Sequence, residues 1–212
     1  MMPNPKLRPF LALCCCAALA ACAGTPTKQD LALPAIITVD AWGGSAAAEP
    51  TRPPQRITHI TLHHQGESWA EGKDVAAYLR RLQQWSRLSK RWADIPYHYV
   101  IAPDGRIYAA RDPGTAGDTN TEYDPRGHAL VMLLGNFEEV EPSAAQLRAT
   151  AELMAALAQR HGLTAEQIAS HKDYSAQTLC PGRHLYRHLQ NGWLQGAVTA
   201  RLAGQPLPEP VP

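Results

Sequence analysis

An α/β fold, a central mixed β-sheet flanked by about three helices, is predicted for this 212-residue chain by three features of its sequence. Short β-branched runs alternate with longer segments of helical period. Two helical segments open on side chains suited to cap them. The turn dipeptide Asp104-Gly105 stands between two strand-like runs and marks a hairpin.

The elements follow in order. Ile57 to His63 is short and β-branched, so it reads as a strand. Asp74 is placed to cap a helix through about Lys90, with Val75, Leu79, Leu82 and Trp85 at helical spacing. Tyr97 to Ile101 is a strand, and Arg106 to Ala110 returns from the hairpin turn. His128 to Leu134 is an apolar run, read as a buried strand. Ser143-Ala144-Ala145-Gln146 fits a capping box; the helix behind it carries Leu147, Met154 and Leu157 and stops at Gly162. Thr164 to Gln167 repeats the box on a short turn. A last helix follows Pro181, with Leu185, Leu189 and Trp193 on one face.

Composition narrows the function. The formal net charge is +1, charged residues are 18%, and no basic stripe is visible, so nucleic acid is not an expected partner. At 45% hydrophobic the chain is not disordered as a whole. Four of the five cysteines, Cys14, Cys15, Cys16 and Cys22, lie near the amino end, so Cys180 has no partner in the body for an internal disulfide. Lys6 and Arg8 precede an apolar run from Phe10 to Ala20, too short to span a bilayer but suited to a secretory signal. Leu19-Ala20-Ala21-Cys22 resembles the bacterial lipoprotein box, which implies acylation of Cys22; Ala23 after it resembles outer-membrane sorting. The expected organisation is a signal peptide over 1–21, an Ala/Pro-rich tether over 22–55, one domain over 56–200 and a Pro-rich tail over 201–212. Within the tether, Ile36 to Val39 can pack as a short strand on the domain.

Three places carry chemistry: His63-His64, His171-Lys172-Asp173, and Thr178-Leu179-Cys180-Pro181-Gly182. Zinc favours imidazole and thiolate, and a catalytic zinc site keeps three protein ligands and one open position. A His and a Cys with eight residues between them can converge from one loop, and a third ligand from a distant strand end completes a set. Taken singly, two adjacent histidines are one core and one surface residue, and a lone Cys is a small buried hydrophobe. Taken together they favour a metal.

Four elements then occur in order: Ile60-Thr61-Leu62-His63-His64; Ile95-Pro96-Tyr97-His98-Tyr99-Val100-Ile101 with Asp104-Gly105; Leu134-Gly135-Asn136-Phe137; and His171-Lys172-Asp173 to Thr178-Leu179-Cys180-Pro181-Gly182. Over roughly residues 56–195 the chain resembles the zinc-dependent N-acetylmuramoyl-L-alanine amidases of the phage-lysozyme and peptidoglycan-recognition-protein type (amidase type 2). The resemblance implies Zn²⁺ on His63, His171 and Cys180, with Tyr97 as the active-site tyrosine and Thr178 as a second polar site residue. It implies hydrolysis of the amide between N-acetylmuramic acid and L-alanine, with peptidoglycan or muropeptides as substrate. Together with Cys22 it implies a lipid-anchored monomer on the periplasmic face of the outer membrane, touching the membrane through that anchor alone.

The chain departs from the family pattern at Gln65, where Thr or Ser is usual, and over Asp112 to Gly127, which match poorly. Val131 to Leu134 offers no carboxylate for the general base used by a related branch. His184 and His188 read as a solvated helix face, His128 as structural or groove-lining, and His98 as a packed partner. Arg111 and Asn136 are groove or loop candidates, and Trp69 is the Trp to test as a sugar platform. Two other functions compete: a peptidoglycan-binding module without catalysis, and a thiol enzyme using Cys180. Pro181 removes a backbone N–H that a thiol site often uses for its oxyanion.

Overall fold

The computed structural model describes residue 1, residues 30–46 and residues 54–210. The expected signal segment (Met1 apart), Cys22, and residues 23–29 and 47–53 of the expected tether lie outside the described residues.

Among the described residues six strands form one mixed sheet: β1 (Ile36–Ile37), β2 (His59–His64), β3 (Tyr99–Ile101), β4 (Ile107–Ala109), β5 (His128–Leu133) and β6 (Ile168–Ser170). Their spatial order is β1-β4-β3-β5-β2-β6. β2 pairs in parallel with both β5 and β6, β3 pairs in parallel with β5, and β3–β4 is the antiparallel hairpin over Asp104-Gly105. The helices are α1 (Val75–Leu88), α2 (Ala144–His161), α3 (His171–Tyr174), α4 (Arg183–Gln190) and α5 (Trp193–Leu202).

The period of each segment decides which face it buries. Along β2, Ile60 and Leu62 point to one side, where Val131 and Leu133 of β5 join Leu153, Met154 and Leu157 of α2 and Val198 of α5. On the other side Val100, Met132 and Leu134 pack with Leu79 of α1 and Trp42. Helices on both faces explain why β5 is apolar without alternation and buried at every position. Each fully buried Leu or Ile contributes about 1.5–3 kcal/mol relative to exposure. The caps are as read: Asp74 accepts the Ala77 N–H, Ser143 and Gln146 form the reciprocal box, and Gly162 ends α2 at φ 68°.

The differences from expectation are local. The last helix is two, because the chain turns at Gly192 with φ 75°. β6 and the single turn of α3 were not foreseen; three residues are too few for a period to declare itself. Part of the stretch expected as a tether belongs to the domain: the short strand read at Ile36 to Val39 forms there, and the packing of Trp42 behind it was not foreseen. Ile36–Ile37 pairs in parallel with β4, and Trp42 is 2% exposed with its indole N–H donating to the Ala109 carbonyl at 2.7 Å. An uncovered edge on β4 and a large apolar ring outweigh the extended preference of the surrounding Pro and Ala. Among the described residues no helix is long and apolar enough to cross a membrane.

Candidate metal centre

The site is a consequence of strand register. β2 and β6 are adjacent and parallel, with Leu62 beside Ser170. One residue further, His63 and His171 leave the carboxyl ends of the two strands together, and their ring centroids lie 4.8 Å apart. That end of an open parallel sheet is where ligands bind. Asp173, the acid of the His-Lys-Asp motif, holds the exit: it accepts the Ser170 N–H, the Ser170 hydroxyl and the Tyr186 phenol, each at 2.7 Å.

Cys180 reaches the same place by a short loop fixed at both ends. The Lys172 N–H donates to the Cys180 carbonyl at 2.9 Å, and the Thr178 hydroxyl accepts the Cys180 N–H at 3.1 Å. Gly182 closes the loop against the backbone of Phe137 and Glu138. At φ +86° it holds a conformation open to glycine, and a Cβ there would stand 2.4 Å from Glu138 N and Phe137 C.

One ligand atom each from His63, His171 and Cys180 lies within 4.8 Å of the others, an arrangement that could hold a metal ion. Cys180 Sγ is 3.5 Å from His63 Nδ1 and accepts the His64 N–H at 3.3 Å. His63 and Cys180 are buried and His171 is half-buried. Burial first, and the charge of His171 second, hold the His63 pKa well below the usual imidazole range. Burial pushes the Cys180 thiol up to about 12, with the His64 N–H acting in the opposite direction. His63 Nε2 is buried without a hydrogen-bond partner among the described residues.

These groups line a cleft of about 390 Å³, and Tyr97 and Thr178 line it too. The Tyr97 ring is 5.1 Å from that of His63. Burial, and then the neighbouring Cys180 charge, raise its pKa well above the usual phenol range, so Tyr97 is a hydroxyl donor at neutral pH. Thr178 faces the cleft while its oxygen serves the Cys180 N–H, so its first role is to shape the loop. The five residues assigned to the metal and its chemistry, His63, His171, Cys180, Tyr97 and Thr178, therefore all line one cleft.

Most of the other candidates fall elsewhere. His64 rims the cleft, but its Nδ1 accepts the Phe137 N–H at 3.2 Å. His98 is fully buried: Nδ1 accepts the Leu130 N–H at 2.8 Å and Nε2 meets the Thr115 carbonyl at 2.9 Å. His128 is packed beneath His59 and Tyr174 and bonds Thr61 Oγ1. Arg111 is no groove residue. It is buried, donates to the carbonyls of Asp94, Ile95 and Ala116, and pairs with Asp118. Asn136 accepts the Glu138 N–H in a turn. Trp69 lies outside this cleft, against Tyr78 and Lys73; Trp92 is the Trp that lines it. His188 is buried against Trp193, not on a solvated face, while His184 bonds Glu141.

Sequence reasoning missed Asp118, Thr119 and Thr121, which line the cleft from the loop before β5. The sequence offered only an Arg at the end of the hairpin with an Asp seven residues on; that the two are buried together is visible only in the structure.

A profile of the N-acetylmuramoyl-L-alanine amidase family matches residues 53–183. The chain belongs to that family. Its relatives include peptidoglycan-recognition protein SC2 of Drosophila melanogaster, 24% identical over 73% of this chain and 84% of that protein. Peptidoglycan recognition protein 1 of Bos indicus is 27% identical over 81% of this chain and 90% of its own length. Among solved structures, Drosophila peptidoglycan recognition protein SD superposes with TM-score 0.62 at 27% identity, covering 75% of this chain and 94% of that one. The LCa–LCx ectodomain complex, solved with tracheal cytotoxin, gives TM-score 0.64 at 26% identity over 73% of this chain and 94% of the matched one. The amidase family member described here thus has the peptidoglycan-recognition-protein fold, the mixed sheet flanked by helices that its resemblance to the family implied.

Proposed function

We propose that this family member is a zinc-dependent N-acetylmuramoyl-L-alanine amidase, which hydrolyses the bond between the lactyl group of N-acetylmuramic acid and L-alanine. The observation that carries the reading is the convergence of His63, His171 and Cys180 at the carboxyl end of the sheet. Bonds of about 2.3 Å to sulfur and about 2.05 Å to nitrogen, meeting at a tetrahedral angle, set a sulfur–nitrogen separation of about 3.5 Å. Cys180 Sγ and His63 Nδ1 are 3.5 Å apart. The donor set also fits: two imidazoles held neutral and a thiol whose ionisation burial opposes until a cation compensates it.

His63, His171 and Cys180 would hold the metal. A bound zinc supplies the Lewis acidity that makes hydroxide available near neutral pH and polarises a carbonyl. The chain's own residues do the rest. Tyr97, kept protonated by its surroundings, donates its O–H to the oxygen of the scissile amide as negative charge develops there. The His64 N–H on Cys180 Sγ steadies the thiolate. Asp118 is the carboxylate of the cleft, and its pairing with Arg111 assigns it to holding the loop rather than to proton transfer.

The lipid anchor at Cys22 is part of the same proposal. If Cys22 is acylated, Leu31, whose N–H donates to Gln159 Oε1 at 2.5 Å, follows it by nine positions along the chain. At about 3.3–3.6 Å per residue the domain is then held within roughly 30 Å of the lipid surface. A tether running to residue 55 would have allowed a reach several times longer. The short reach favours wall polymer near the membrane.

The test is incubation of the chain starting after Cys22 with purified peptidoglycan. New L-alanine amino ends that vanish on chelation support the amidase. Binding to the wall polymer without new amino ends favours the recognition reading that the relatives' names suggest. Cleavage that survives chelation points to Cys180 as a nucleophile.

A further inference from the structure

The loop that departs most from the family pattern is also the one that touches a proposed ligand from outside. Thr121 Oγ1 lies 2.7 Å from His171 Nε2. Thr119 Oγ1 is 2.8 Å from Thr121 Oγ1 and accepts the Thr121 N–H at 3.1 Å. We propose that Thr121 is a positioning residue for the metal centre, its hydroxyl accepting the outer N–H of His171 and so turning Nδ1 toward Cys180 and His63. This rests on the metal-site reading above.

The hydrogen-bond inventory leads there. A neutral imidazole carries one N–H and one lone pair, and the partner of one nitrogen decides the role of the other. A hydroxyl has a single proton. If Thr121 gives that proton to Thr119 Oγ1, its own lone pairs are left to accept from His171 Nε2–H. The chain of donation then runs from His171 to Thr121 to Thr119, with every step within hydrogen-bond reach.

The loop can act as an orienting arm because it is pinned on both sides of Thr121. Before it, Asp118 is buried against Arg111, and Arg111 is fixed by three backbone carbonyls. After it, Glu122 accepts the Ser175 hydroxyl at 2.7 Å, which ties the loop to the turn that follows α3. The buried Tyr123 ring lies 4.9 Å from the His171 ring and His63 lies 4.8 Å from it, so packing restricts the imidazole while Thr121 selects its orientation. An outer partner of this kind fixes the tautomer and ring angle of a ligating histidine and raises its basicity, and losing it costs about 10–100-fold in metal affinity.

The experiment measures zinc affinity by competition with a chromophoric chelator in the full chain, for wild type, Thr121→Val and Thr121→Ser. Imidazole ¹⁵N NMR of the zinc-loaded protein reads the His171 Nε2–H. The expected result is zinc binding weakened about 10–100-fold in Thr121→Val, with the slowly exchanging Nε2–H lost, and most of the affinity restored in Thr121→Ser. The thermal midpoint of the metal-free protein stays within that of wild type, because Thr121 is half-exposed and valine matches its shape. Equal affinity in wild type and Thr121→Val, or Thr121→Ser as weak as Thr121→Val, overturns the role of Thr121 and leaves the metal site standing. Wild type that binds no zinc overturns both.

Discussion

Replacing Gly182 by alanine probes the joint that delivers Cys180 to the cleft. The residue sits at φ 86° and ψ 147°, a region closed to residues with a Cβ. Forcing a side chain into it costs about 1–3 kcal/mol. The added Cβ also starts 2.4 Å from Glu138 N and Phe137 C. Both are backbone atoms, so no side chain can swing aside, and opening the contact by about 1 Å costs a further 1–3 kcal/mol as overpacking. The segments that must separate are bonded to each other: the His184 N–H donates to the Phe137 carbonyl and the Arg183 N–H to Glu138, both at 2.9 Å. The expected loss is therefore about 2–6 kcal/mol, a large part of the roughly 5–15 kcal/mol that holds a domain. Urea denaturation of the metal-free protein reads it directly, and the melting midpoint drops by roughly 5–20 °C. A loss below about 1 kcal/mol with zinc affinity intact would refute the reasoning.

Four further outcomes follow from the same geometry. Tyr97→Phe removes the proposed oxyanion donor and should cut turnover about 10²–10³-fold with zinc content retained; equal turnover removes Tyr97 from the mechanism. Arg111→Met leaves Asp118 buried without its cation and should cost about 3–5 kcal/mol in urea denaturation, and an unchanged midpoint would deny the loop its brace. Trp42→Ala should cost about 3–5 kcal/mol and release the Ile36–Ile37 strand to proteolysis, whereas a neutral result would return residues 30–46 to the role of tether. Burial lowers the His98 pKa from 6.5 to about 4. The unfolded chain binds that proton first, so stability falls as pH drops from about 6.5 toward 4, by about 3 kcal/mol from this group. An NMR titration midpoint for His98 near 6.5 would contradict this.

The legible parts of the fold were those where local chemistry repeats or punctuates. Ser143 with Gln146 and Gly162 bracket α2 unaided, and Asp104-Gly105 marks its hairpin. The candidate site was legible because three chemically unusual residues stood at strand and loop ends. What stayed hidden depends on distant neighbours. Ile168 to Ser170 is a strand only because β2 offers a parallel edge, yet that pairing is what sets His171 beside His63. Trp42 is core only because β4 and α1 leave a place for it, with Arg80 donating to its carbonyl. The hydroxyls of Thr119 and Thr121 look like ordinary loop polarity until Arg111, already in view as a groove candidate, turns inward and draws Asp118 with it. His188 was misjudged for the same reason: helical spacing with His184 names a shared face, but α5 arrives to bury one member of the pair.

The central claim is that two histidines and one cysteine share a metal, and zinc K-edge X-ray absorption of the loaded protein tests it most directly. The account predicts about one zinc per chain with one sulfur near 2.3 Å and two imidazole nitrogens near 2.0–2.1 Å, the sulfur shell disappearing in Cys180→Ala. A loaded protein whose zinc shows no sulfur shell, or one unaltered by Cys180→Ala, would contradict it.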